Sequence, residues 1–104
     1  MGGIMEFSTQ SQGADMVFVL TGRMTFKDHK LFREILLDVA KKTFQRAVFD
    51  LNRLDFIDSF GVGMLLIVKD AAENRSKSVV LRKPQGQVEH MVQIAKLAKL
   101  FTIE

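Results

Sequence analysis

The chain has 104 residues, 47% of them hydrophobic and 26% charged, and a formal net charge of +3. That length and balance suit one globular domain spanning residues 1–104 with a single core, and exclude a disordered or fibrous chain. The charge is too modest to mark a nucleic-acid binder, and the absence of cysteine excludes disulfides, thiol nucleophiles and thiolate metal sites while fitting a reducing compartment.

In chain order, the start "MGGIMEFST" shows no basic region followed by a long apolar segment, and Glu6 stands where a myristoylation signal carries Ser or Thr, so a cytoplasmic location is expected. "IMEFST" and "DMVFVLTG" read as two strands joined by the polar "QSQGA" in a hairpin. In "TFKDHKLFREILLDVAKKTF", residues 25–44, Leu31, Ile35 and Val39 form one apolar row with Phe32, Leu36 and Ala40 beside it, which predicts an amphipathic helix. Thr25 and Asp28 have the spacing of a capping box at its start.

"RAVFDL", residues 46–51, is short and continuously apolar around Val48 and Phe49, as a central strand buried on both faces should be. "NRLDFID" reads as a loop. Helical spacing then resumes with Phe60, Met64, Ile67, Val68 and Ala71 on one face, until Glu73 and Asn74. Within it, the apolar run of residues 61–68 is far short of the roughly 20 residues that cross a bilayer, and no membrane span is expected. "SVVLRK" is a further strand, stopped by Pro84, the only proline. "QGQVEHMVQIAKLAKL" supplies Val88, Met91, Val92 and Ala95 for a third helix, and "LFTIE" a last short strand. Strands alternating with helices after an opening β-hairpin predict an α/β fold: a mixed β-sheet with helices packed on it.

Residues 1–73 hold nine basic and ten acidic side chains, and residues 74–104 six basic and two acidic. Arg75, Lys77, Arg82 and Lys83 are not interleaved with exposed aromatics, and Trp and Tyr are absent. Direct nucleic-acid binding is therefore not expected.

The junction "DFIDSFGVGMLL", residues 55–66, carries the densest chemistry. Asp58 or Ser59 at the start of a helix is an N-cap, worth about 1 kcal/mol. A nucleophile elbow wants Gly two residues before the serine, where Ile57 stands. The only histidines, His29 and His90, are isolated, so neither a hydrolase base nor a metal site is expected. "FGVGML" offers Gly-x-Gly, but Leu66 occupies the place of the third glycine in the dinucleotide fingerprint, and no P-loop lysine follows. Gly61 and Gly63 read instead as places of close packing or of close approach by a partner. The carboxylates Asp55 and Asp58 have no visible set of supporting polar residues for acid–base work. A phosphate on Ser59 would be tolerated by free amides and the helix dipole, yet would disturb a partner docked beside Asp55 and Asp58.

"DFIDSFGVGMLL", preceded by the strand "AVFDL" and by the "LTGRMTF" entry to the first helix, resembles the STAS domain family, and in particular the stand-alone bacterial anti-sigma factor antagonists. The likeness runs from about Val17 to Ile103. It implies a STAS-like single domain without catalytic residues or cofactors, acting as a partner switch. By that resemblance Asp58 is the motif aspartate, Ser59 the phosphate acceptor, and Gly61 and Gly63 the motif glycines. The implied partners are a GHKL-type serine kinase, often itself the anti-sigma factor, and a PP2C-type phosphatase. The implied contact surface takes in Thr25, Asp55, Asp58, Ser59, Phe60, Gly61 and Gly63. Three features depart from the family pattern. Phe60 stands where relatives carry a small Ser or Ala, Thr25 stands where several place an acidic contact residue, and the chain ends about where the last strand should, without the terminal helix of many relatives. The alternatives are a non-cycling interaction subunit of a signalling or transporter assembly, and a small-molecule or nucleotide sensor.

Overall fold

The computed structural model describes residues 5–104. Five strands form one sheet in sequential order: β1 (Glu6–Gln12), β2 (Asp15–Met24), β3 (Arg46–Ile57), β4 (Ser78–Arg82) and β5 (Thr102–Ile103). β1 and β2 are antiparallel and every other pairing is parallel. Between the parallel strands lie α1 (His29–Lys41), α2 (Ser59–Glu73) and α3 (Gly86–Ile94). The predicted α/β class, mixed sheet and opening hairpin are all present. Ile4, the first residue of the predicted first strand, lies outside the described residues.

The hairpin turn is shorter than the sequence suggests. Gln12 pairs with Asp15, so only Gly13 and Ala14 turn the chain. Gly13 has φ +62°, at the position where a two-residue type II′ turn needs a positive φ.

Sequential parallel strands joined by crossovers of one hand carry all their helices on one face. The core obeys this. Phe32, Ile35 and Val39 of α1, Met64, Leu65, Val68 and Ala72 of α2, and Val88 and Val92 of α3 join Phe18, Leu20, Phe49, Leu51 and Leu81 in one cluster. Neighbouring strands stack Phe18 on Phe49 at 4.9 Å between centroids. With period two, the opposite face carries Val17, Val48 and Val80 in a row across the central strands, with no helix packed on them among the described residues.

One rim of that open face is tied by charge. Asp15 accepts from Arg46 Nε at 3.0 Å and Nη2 at 2.9 Å, and Glu104 bridges Arg46 and Arg82. The bidentate hydrogen bonds from Arg46 hold the Asp15 carboxyl below the usual aspartate range. A carboxyl depressed in the folded state contributes stability above its unfolded pKa of about 3.9, and that contribution is lost as pH falls through the folded value. Asp15→Asn is therefore expected to destabilise the protein slightly at pH 7, with the gap to wild type narrowing in urea melts as pH falls below about 3.9. Added salt should shrink the gap at pH 7, since the pair is solvent-accessible.

The helix ends differ from the sequence reading by a few residues. The first helix begins with a 3-10 turn (Phe26–Asp28) and stops at Lys41; the third stops at Ile94, before a second 3-10 turn (Leu97–Lys99). Lys77 folds over the end of α1, donating to the carbonyl oxygens of Val39 and Lys42 at 2.7 Å each, above the Phe44 ring. Desolvation there pushes its ammonium pKa down. Lys77 and Arg82, two of the six cations of residues 74–104, are thus committed to internal contacts.

Candidate functional site

The largest correction to the sequence reading concerns "NRLDFID". β3 continues through it to Ile57, and its partners explain why. On one side β2 accompanies it as far as Met24, with register shifts that leave Asp55 unpaired between Leu54 and Phe56, a bulge in the longer strand. On the other side β4 pairs only as far as Asp50. Two glutamines at the start of α3 replace the missing strand. Gln87 Oε1 accepts from the Ile57 N–H at 2.9 Å and its Nε2 donates to the Ile57 carbonyl at 2.8 Å. Gln85 Nε2 donates to the Leu54 carbonyl at 3.3 Å.

Immediately after this clamp the chain enters α2. Asp58, not Ser59, is the N-cap: its backbone is extended and its Oδ1 accepts from the Gly61 N–H at 2.9 Å. The Asp58 N–H donates to the Met24 carbonyl at 3.3 Å, joining this turn to the end of β2. Ser59 is the first helical residue and is exposed. The amides of Ser59 and Phe60 have no acceptor among the described residues, the ordinary state of a helix start.

The two motif glycines do different work. A Cβ on Gly61 would lie 2.8 Å from the Met24 carbonyl oxygen and clash with Ile57 Cγ1, so α2 approaches the sheet there backbone to backbone. A Cβ on Gly63 would meet nothing within 4 Å. The buried stripe of α2 is accordingly Gly61, Met64, Leu65, Val68 and Ala72. The expected face is corrected at three positions: Phe60 and Ile67 point outward and are 59% and 52% exposed, and Ala72 rather than Ala71 is buried. Apolar residues populate both sides of this helix, so spacing alone did not fix which side turns inward.

Across from Phe60 lies Phe26, also 59% exposed, with ring centroids 5.1 Å apart. Phe26 stacks in turn on His29 at 5.7 Å. It is held there by the capping box foreseen in the sequence. The Asp28 carboxylate accepts from the Thr25 N–H at 2.7 Å and from the Met5 N–H at 3.1 Å, and Thr25 Oγ1 accepts from the Lys27 N–H. Asp28, 5% exposed, is the one buried charged side chain among the described residues.

Thr25, Asp58, Ser59, Phe60 and Gly61 therefore gather where β2 and β3 end and α2 begins, and Gly63 lies one turn further along the exposed side. Asp55 stands apart in the bulge, exposed and without an ion pair or side-chain hydrogen bond among the described residues. Phe26 and Gln87 were missed. The signal for Phe26 is an aromatic directly after a cap and outside the Leu31–Ile35 row; the contact of Gln87 with Ile57 spans thirty residues and leaves no local pattern.

The sequence model of the STAS domain family matches residues 6–104. A STAS-domain containing protein of Pseudomonas aeruginosa is 30% identical over 93 residues, covering 89% of this chain and 91% of that one. Among solved structures, the anti-sigma factor antagonist SpoIIAA in its unphosphorylated form matches with a TM-score of 0.79 at 20% identity, over 95% of this chain and 88% of the other. Its phosphorylated form, a Bacillus cell fate determinant, matches at 0.71 and 19% identity, over 95% and 91%. An anti-sigma factor antagonist from Mycobacterium paratuberculosis matches at 0.80 and 17% identity, over 96% and 85%. At these identities the solved structures show a shared fold.

Proposed function

The chain belongs to the STAS domain family, and from that premise we propose that it is a cytoplasmic partner switch of the anti-sigma factor antagonist type, controlled by phosphorylation of Ser59. Unphosphorylated, it binds a GHKL-type serine kinase or anti-sigma factor through the start of α2 and the adjoining entry to α1. Phosphorylation by that kinase breaks the complex, and a PP2C-type phosphatase restores it. The domain performs no chemistry of its own.

The observation that carries this reading is the placement of Ser59. It is exposed at the first turn of α2, beside free amides and the positive end of the helix dipole, so a phosphate there leaves the fold standing. It also adjoins the exposed Phe26–Phe60 pair, against which nearly two added negative charges impose desolvation on any docked partner. A loss of about 1.4 kcal/mol is tenfold in affinity, so a modest penalty is enough for release.

The test is intact-mass analysis with site mapping after incubation with ATP and lysate of the host organism, with Ser59→Ala as control. One phosphate on wild type alone, mapped to Ser59, is expected. In pull-downs Ser59→Ala should keep the partner, and Ser59→Asp should weaken binding at least tenfold. Equal binding by both variants, with no phosphate on wild type, would replace the switch with a non-cycling interaction subunit.

A further inference from the structure

Among the described residues nothing requires glycine at position 63. Its φ is not positive, a Cβ would meet nothing within 4 Å, and alanine is the more stable residue inside a helix. One turn before it stands Phe60 and one turn after it Ile67, both projecting outward. The missing side chain leaves a notch between two apolar projections. It opens into a groove of about 280 Å³ lined by Ser59, Phe60, Gly63, Met64 and Ile67, and Phe26 extends the apolar rim beyond Phe60. Exposed apolar side chains occurring singly need no explanation; here Phe26, Phe60 and Ile67 stand together beside the notch.

We propose that this groove receives one apolar side chain of leucine, methionine or phenylalanine size from the partner that binds the unphosphorylated protein, with Gly63 as the hole for that knob. The assignment rests on the partner-switch reading and adds what the partner presents. The chemistry of the occupant follows from the lining. Apart from the Ser59 hydroxyl, the groove is bounded by apolar side chains and a glycine, so a polar or charged group entering it would lose water without gaining partners. The spacing is that of a knob-into-hole contact on a helix surface. Ser59 belongs to the same lining, so a phosphate on it would be pressed against the inserted apolar group and stripped of water, which couples modification directly to release.

The test separates docking from phosphate transfer by competition. Wild-type protein is labelled at Ser59 in host lysate with ATP, and unlabelled variants are added in excess as competitors. Ser59→Ala, whose groove is open, should inhibit labelling; Ser59→Ala combined with Gly63→Leu should need at least tenfold more protein for the same inhibition. Gly63→Ala, measured alone, should melt about 4 °C higher than wild type, and Phe60→Ser provides a second groove variant, expected to compete as weakly as the Gly63→Leu double variant when placed on Ser59→Ala. Equal competition by open-groove and filled-groove proteins overturns the groove assignment while leaving the switch intact. No phosphate on wild-type Ser59 overturns both. A homodimer in sedimentation equilibrium that Gly63→Leu dissociates gives the groove to a second copy of the chain, and overturns the proposal as stated.

Discussion

Gly61→Ala is expected to destabilise the protein by about 2 kcal/mol, although the same substitution two residues later should stabilise it by about 1 kcal/mol. Alanine improves helix propensity equally at both positions, so the difference of about 3 kcal/mol measures the contact that Gly61 permits. At Gly61 the added methyl would face the Met24 carbonyl oxygen at 2.8 Å and the Ile57 side chain. Ile57 can change rotamer only within a packed core. The carbonyl belongs to β2 and also accepts from the Asp58 N–H, so it cannot retreat without releasing the cap turn. The helix start must move instead, taking Ser59 with it. Urea denaturation should show a lower midpoint with an unchanged slope for Gly61→Ala and a higher midpoint for Gly63→Ala. Two shifts of the same sign would contradict the backbone-to-backbone approach. Phosphorylation of Ser59 in host lysate should fall for Gly61→Ala even where the protein remains folded.

This pair of glycines also marks how far the sequence could be read. The element order, the mixed sheet and the capping box at Thr25 were legible because each leaves a local trace: period two in "DMVFVLTG", the Leu31–Ile35–Val39 row, and a threonine three residues before an aspartate. The start of α2 was legible for the same reason, since Asp58 precedes the apolar run. Which face of α2 turns inward was not, because Phe60 and Ile67 are as apolar as Leu65 and Val68. The choice falls to Gly61, where the helix approaches the sheet backbone, and that requires knowing where Met24 lies. The extension of β3 through "NRLDFI" was hidden for a related reason. Charged and polar residues at 52, 53 and 55 resemble a loop, and the hydrogen bonds that make the segment a strand come from β2 on one side and from Gln85 and Gln87 on the other. Side-chain amides standing in for a strand leave no periodicity.

Gln87 supplies the second large effect. Gln87→Leu preserves approximate size but leaves both the N–H and the carbonyl of Ile57 without partners in a residue only 1% exposed. Each unsatisfied buried backbone group costs about 1–3 kcal/mol, and the partial exposure of Gln87 itself places the sum at about 3 kcal/mol. Loss of hydrogen-exchange protection should be greatest at the Ile57 amide and extend to Gly61, whose amide depends on the Asp58 cap. Uniform loss across the sheet would indicate general destabilisation instead. Gln87→Glu separates the two hydrogen bonds. An ionised glutamate still accepts from the Ile57 N–H, but its other oxygen then faces the Ile57 carbonyl, which disfavours the charged form and raises the folded-state pKa above the unfolded value of about 4.3. A raised folded pKa means that the folded protein binds more protons, so the stabilisation is fully present below about pH 4.3 and is lost as pH rises through the folded value. Gln87→Glu should therefore approach wild-type stability in acid and fall toward Gln87→Leu at neutral pH. A variant equally unstable at both would show that Gln87 does not bridge α3 to the strand that leads into Ser59.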